Sequence, residues 1–276
     1  MAEVVRSAVI SSRFTKSFLG DVRARTVETP WGAASVDIGD VDGEAVAGVW
    51  RYGRDLALPS HKINYRANLW ALRTLGVERL ISQNAIGSLR PDLPPGSVMI
   101  SDDFIDFTHG RVRSFFDDAD AWVRVDMTEP FCPEVRTTLI ASSAGLFERV
   151  ADRGTFICVE GPRFESRAEI RVFRQWGADI IGTPLVPEIV LAREAEMCFE
   201  SIAPIINLAA GLAGEVRHVG AGSMVDVYYG SGLHDRVEQA IRAALRALPR
   251  ERGCTCGRAL EGAFHGTPPP WLERRG

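Results

Sequence analysis

The sequence predicts an α/β layer fold in a single domain. Three observations carry that expectation. Short β-branched runs alternate along the chain with segments whose apolar residues recur at helical spacing. Polar side chains recur where those runs end, at Asn84, Glu165 and Asn207. No internal repeat and no domain-sized linker interrupts the pattern. In open α/β sheets, the edge where strands end is where ligands bind.

The elements follow in order. Ala8-Val9-Ile10 reads as a first strand, and 45–50 as another. The segment 63–75 places Ala67, Leu69, Trp70, Leu72 and Leu75 on one helix face. A strand over 79–84 breaks at Asn84-Ala85-Ile86-Gly87-Ser88, and one over 98–100 continues toward Phe104. The strand 155–159 runs into the loop Glu160-Gly161-Pro162-Arg163. A helix over 168–176 ends at Gly177, and a short strand over 178–181 follows. Pro187 and Glu188 suit the opening turn of the next helix: proline fits there, and a carboxylate favours the positive end. The apolar strand 201–207 ends in the turn Ala209-Ala210-Gly211, and 235–248 is a final amphipathic helix. The domain is expected to span 1–250, with an irregular tail over 251–276 rich in Gly, Pro and Arg.

Composition excludes several classes. The 276 residues, 46% hydrophobic and 25% charged, are those of a globular protein with a real core. A net charge of −4 is no footprint for nucleic-acid binding. The chain has two lysines, Lys16 and Lys62, so its basic charge is almost all arginine. No stretch approaches the roughly 18–20 apolar residues of a membrane span, and the N-terminus lacks a signal-peptide pattern. Five cysteines are too few for a disulfide scaffold, and Cys132, Cys158 and Cys198 read as small buried hydrophobes. Cys254 and Cys256 form a lone Cys-x-Cys with no second pair, a weak zinc motif, so no metal is expected. The expected location is cytoplasmic.

Seven motifs then accumulate in order. They are Leu58-Pro59-Ser60-His61-Lys62-Ile63-Asn64-Tyr65-Arg66-Ala67-Asn68; Gly87-Ser88-Leu89-Arg90 with Pro95-Gly96-Ser97; Asp102-Asp103-Phe104-Ile105-Asp106; Glu129-Pro130-Phe131-Cys132-Pro133; Val159-Glu160-Gly161-Pro162-Arg163-Phe164; Trp176-Gly177-Ala178-Asp179; and Val186-Pro187-Glu188-Ile189-Val190-Leu191-Ala192-Arg193-Glu194. Together they resemble the trimeric purine nucleoside phosphorylases, nearest the 5′-methylthioadenosine and S-methyl-5′-thioinosine phosphorylase branch, over about residues 5–250. The resemblance implies one α/β domain around a mixed, distorted β-barrel flanked by helices, and a homotrimer or dimer of trimers. It implies a pentosyltransferase of nucleoside metabolism and purine salvage, with a purine nucleoside as substrate, inorganic phosphate as co-substrate and no cofactor. Such chemistry passes through an oxocarbenium-like transition state. It needs a donor near purine N7, a nucleophile under C1′ and a clamp on the sugar.

Carried over by motif, the purine end falls on Phe164 as aromatic wall, on Glu165 and Asn207 as catalytic and base-reading groups, and on Ala85. Adenine-specific relatives place an aspartate where Asn207 stands. An asparagine cannot transfer a proton but can donate to N7, and a carboxylate at Glu165 can accept from the N1–H of a 6-oxopurine. The resemblance therefore implies inosine, guanosine or 5′-methylthioinosine over adenosine.

At the phosphate end the pattern departs. The family's glycine-rich loop is Ser11-Ser12-Arg13-Phe14 here, its Arg-His pair is Arg51-Tyr52, and a hydroxyl residue of the family is Pro184. The family's methionine under the ribose falls on Thr183. The expected anion ligands are Arg51 and Ala85, carried over from the family, with Arg13 and Ser11 or Ser12 rebuilding the rest of the site. The expected sugar neighbours are Thr183 and Tyr52, with Arg124 contributed from a neighbouring subunit near the 5′ group. His61, His109 and His218 are further polar candidates near the sugar by sequence order. Two other readings stay open: a nucleosidase that uses water, and a non-catalytic homologue that still binds a purine.

Overall fold

The structure is a computed structural model, and it describes residues 5–118, 121–212 and 226–273. Strand β1 (Ser7–Ser11) lies parallel to β4 (Glu44–Trp50) on one side and to β5 (Arg79–Gln83) on the other. Every residue of β5 is buried, as a central parallel strand requires. Beyond β4 come β3 (Gly32–Val41) and the edge strand β2 (Gly20–Thr29), both antiparallel. This hairpin escapes a periodicity reading because β2 is exposed along nearly its whole length and carries Asp, Arg and Glu rather than an apolar alternation.

On the other side of β5 the order is β13 (Cys198–Leu208), β6 (Ile86–Ser88), β12 (Ile180–Gly182), β11 (Thr155–Val159) and β8 (Asp103–Phe107). Strand β13 joins the two halves. Its residues 198–202 pair parallel with β5, its end pairs parallel with β6, and its middle pairs antiparallel with β7 (Val98–Ile100). The register shifts between Ile205 and Asn207, an irregularity that re-aims the strand's last side chains. The result is the mixed sheet flanked by helices that the motifs imply.

Helix α1 (Tyr65–Thr74) starts where the Asn64 side chain accepts from Ala67 N at 3.1 Å, and it buries Ala67, Leu69, Trp70 and Leu72. Helix α2 (Pro133–Ser143) packs on β13. So does α4 (Leu185–Glu194), whose Val186 is extended, so that the regular helix begins at Pro187. Helix α3 (Arg167–Gln175) and the amphipathic α5 (Leu233–Ala247) complete the layers.

Two expectations change. Residues 251–273 do not trail away. Gly253 N donates to Glu134 at 2.8 Å, Arg252 donates to the Glu196 carbonyl at 2.8 Å, and β14 (Phe264–His265) pairs with β9 (Trp122–Val123). The cysteines do not stand apart either. Cys158 is a buried thiol, but Cys132, Cys198, Cys254 and Cys256 converge on one point. A lone Cys-x-Cys reading missed this because the other two thiols come from distant elements.

Candidate active site

A cavity of about 380 Å³ opens beside the end of β13. Tyr52, Ser60, Ala85, Phe164, Glu165, Thr183 and Asn207 all line it. Six of these are sequence-predicted site residues from five separate segments, brought together by the strand order.

Asn207 reaches the cavity through the β13 irregularity, opposite Gly87 of β6. A Cβ on Gly87 would stand 3.3 Å from Asn207 Nδ2, so glycine is what lets the amide lie there. One N–H of that amide donates to the Leu208 carbonyl at 3.0 Å, which sets its orientation. Phe164 and Glu165 sit just before α3, whose first turn is a capping box: Ser166 accepts from Glu169 N at 3.2 Å, and Glu169 accepts from Ser166 N at 2.7 Å. Arg163 bridges both oxygens of Glu169 at 2.7 and 2.9 Å. Hydrogen bonds from Arg163 and Ser166 hold Glu169 down to about 2, whereas burial pushes Glu165 above the ordinary carboxylate range. Phe164 leaves 49% of its surface open.

Thr183 Oγ1 lies 2.7 Å from Ser60 Oγ across the cavity floor. Gly161, with φ +69°, passes so close that a Cβ there would stand 3.2 Å from Thr183.

The other expected anion ligands are not on the cavity wall. Arg51 is buried behind Tyr52. Its Nε donates to Glu188 at 2.6 Å, Nη2 to Ser82 Oγ at 2.7 Å, and Nη1 to the Gln83 carbonyl at 2.9 Å. Burial opposes the guanidinium charge, and Glu188 more than restores it, holding Arg51 above the usual arginine range. Ser11 is fully buried and its hydroxyl donates to the Arg13 carbonyl at 2.6 Å, so it is turned away from any anion. Arg13 is exposed, with its guanidinium carbon 5.5 Å from the centre of the Tyr229 ring. Arg124 lies over Trp122 in a separate concavity that shares no lining residue with the first.

A model of the phosphorylase superfamily matches residues 20–246. The chain belongs to the phosphorylase superfamily. It is 42% identical over 247 residues to the 6-oxopurine nucleoside phosphorylase of Pyrococcus furiosus, covering 87% of this chain and 92% of that one. It is 43% identical over 271 residues to the S-methyl-5′-thioadenosine phosphorylase of Thermofilum pendens, covering 95% and 99%. A crystal structure of a methylthioadenosine phosphorylase from an antarctic soil metagenomic library superposes with a TM-score of 0.88 at 31% identity, covering 99% of this chain and 98% of that one.

This superfamily member also has a site residue that no motif announced. Arg111 is 9% exposed and donates to the carbonyls of Thr183 and Val186 on one loop. It also donates to those of Val159 and Glu160 on another, at 3.2 and 2.8 Å. It thereby holds the Thr183 and Phe164 segments together. Its only sequence signal is an arginine in a loop, which in an arginine-rich chain is silent. Of the histidines, His61 has a buried Nδ1 with no hydrogen-bond partner, next to cavity-lining Ser60. His109 packs its ring on Phe107, and His218 lies outside the described residues.

Proposed function

We propose that the protein is a purine nucleoside phosphorylase that cleaves the N-glycosidic bond of a 6-oxopurine nucleoside of the inosine, guanosine or 5′-methylthioinosine type. Inorganic phosphate attacks C1′ as the C1′–N9 bond breaks, giving the pentose 1-phosphate and the free base. The observation that supports this reading is the placement of Glu165 and Asn207 on one cavity beside Phe164. The name of the relative from Pyrococcus furiosus points the same way, and that of the relative from Thermofilum pendens, an S-methyl-5′-thioadenosine phosphorylase, supports phosphorolysis of a purine nucleoside but not the 6-oxo preference.

In this reading the second amide N–H of Asn207 donates to N7 and steadies the charge that develops on the departing base. Glu165, ionised, accepts from N1–H, a proton that a 6-oxopurine has and adenine lacks. Phe164 covers the base, while Thr183 and Tyr52 border the sugar. Ala85 N–H and the exposed guanidinium of Arg13 serve the phosphate. Arg51, paired with Glu188, acts by backing the Tyr52 segment rather than as a direct anion ligand. Arg124 reaches the 5′ end of a neighbouring subunit's substrate in a homotrimer. No helix of the described residues is long and apolar enough to cross a membrane, and we place the enzyme in the cytoplasm, without cofactor.

Hydrolysis is the competing reading. It is favoured by the ties of Arg51 to Glu188 and by Pro184, which heads α4 with no N–H to offer an anion. Turnover of inosine, guanosine, 5′-methylthioinosine and adenosine, followed by chromatography, tests the purine assignment. The 6-oxopurines should exceed adenosine in kcat/KM by at least about tenfold, the worth of one charged hydrogen bond. Equal turnover of adenosine contradicts the role of Glu165.

A further inference from the structure

Four thiols meet away from the purine cavity. Cys132 immediately precedes α2, and its N–H donates to the Phe199 carbonyl at 2.9 Å. Cys198 is the first residue of β13, and its N–H donates to the Glu78 carbonyl at 2.9 Å. Cys254 and Cys256 come from the C-terminal segment, where Cys256 opens a 3-10 turn. All four Sγ atoms lie within 4.8 Å of one another. Cys198 and Cys254 are 3.3 Å apart at sulfur. All four are free thiols; three are buried and Cys254 is half-buried.

These separations discriminate between two chemistries. A disulfide needs its sulfurs at about 2.05 Å. A tetrahedral zinc with Zn–S of about 2.3 Å places its sulfurs about 3.8 Å apart. The Cys198–Cys254 separation of 3.3 Å and the limit of 4.8 Å on every other pair accommodate the second value, and the 3.3 Å contact is well beyond a disulfide. Packing four thiols so closely also has no hydrophobic rationale, since a core position asks for volume and not for four sulfurs facing one another. The surroundings suit a site of net negative charge: Arg193 Nη1 lies 3.9 Å from Cys256 Sγ.

We propose that Cys132, Cys198, Cys254 and Cys256 form a structural tetrathiolate zinc site that fastens the C-terminal segment to the start of β13 and the head of α2. Binding exchanges four thiol protons for one Zn2+, giving a complex of charge −2 beside Arg193. All four positions are filled by protein, which closes the site to substrate and makes it structural rather than catalytic. None of the four cysteines lines the purine cavity, so the proposal stands independently of the nucleoside reading.

The test uses the full chain, purified without a polyhistidine tag or chelator, with metals measured by plasma mass spectrometry and thiols counted after denaturation in chelator without reductant. The expected result is about one zinc per chain and five titratable thiols. Apo protein prepared under reductant should bind one equivalent of Co2+ with the visible bands of a tetrahedral thiolate site. The double variant Cys254→Ser, Cys256→Ser should lose at least about nine-tenths of the metal, and Cys158→Ser should keep it. If the double variant fails to fold, metal and thiol counts on the wild-type chain still decide. Four thiols consumed as two disulfides with no metal overturns the proposal. So does reduced apo protein that takes up neither Zn2+ nor Co2+, and one equivalent of iron in place of zinc overturns the choice of ion.

Discussion

Arg51 and Glu188 form an ion pair at 2.6 Å with both side chains about 1% exposed. The pair joins the end of β4 to the first turn of α4, and Ser82 of β5 completes it by donating to Glu188 Oε2 at 2.7 Å. A single buried carboxylate thus ties three elements behind the cavity wall. The sequence suggested only that Glu188 would favour a helix start.

Removing one partner strands the other charge in the core. Glu188→Ala should destabilise the fold by about 3–5 kcal/mol, measured by urea unfolding. Glu188→Gln keeps a hydrogen-bond acceptor for Arg51 and should cost less. A loss below about 1 kcal/mol for Glu188→Ala means that the pair is solvated, contrary to its burial.

In the proposed mechanism Asn207 is the donor to purine N7. Asn207→Ala should lower kcat on inosine by about a hundredfold while leaving the thermal midpoint unchanged. Asn207→Asp should raise adenosine turnover relative to inosine. Unaltered kcat in Asn207→Ala removes the amide from the mechanism.

Gly87 tests the same geometry indirectly. Gly87→Ala introduces a Cβ 3.3 Å from both Asn207 Nδ2 and Ile181 Cγ2. Displacing the amide by a fraction of an ångström should lower kcat/KM by about tenfold. A fully active Gly87→Ala enzyme indicates that Asn207 is not positioned by this contact.

Burial raises the Glu165 carboxyl, and only its ionised form accepts from N1–H. Activity on a 6-oxopurine nucleoside should therefore fall, as pH drops, at a pH above the ordinary glutamate range. In Glu165→Gln that acid limb should disappear. An acid limb that persists in Glu165→Gln belongs to another group.

Glu194 gives a stability prediction of the same origin. Burial pushes its carboxyl up to about 7, against the hydrogen bond from Phe115 N at 2.8 Å. Because the folded protein prefers the protonated acid, stability is greatest below the ordinary value near 4.5 and declines as pH rises through about 7. Glu194→Gln should remove that decline and stabilise the protein at pH 8 by about 3 kcal/mol or less, read from thermal midpoints across pH. Parallel pH profiles for the two proteins exclude Glu194 as the source.

Periodicity made the buried strands and the amphipathic helices legible, because each has one partner face and a repeating pattern. It missed β2, an exposed edge strand, and with it β3, whose Ala34, Val36 and Ile38 alternate inward, and it left the tail unread because that segment is held by contacts to distant elements such as β9 and Glu134. Motifs placed Phe164, Glu165, Thr183 and Asn207 on what the structure shows to be one cavity. They could not show that Arg51 is tied to Glu188 or that Arg111 clamps two loops, since those contacts join residues 137 apart in one case and 72 and 75 apart in the other. The four-thiol cluster escaped for the same reason.

The central claim is phosphorolysis. Base release from inosine should be measured by chromatography with and without inorganic phosphate, and the sugar product identified by phosphorus NMR. The account predicts release only with phosphate and one pentose 1-phosphate per hypoxanthine. Equal release without phosphate, yielding free pentose, contradicts it and makes water the nucleophile.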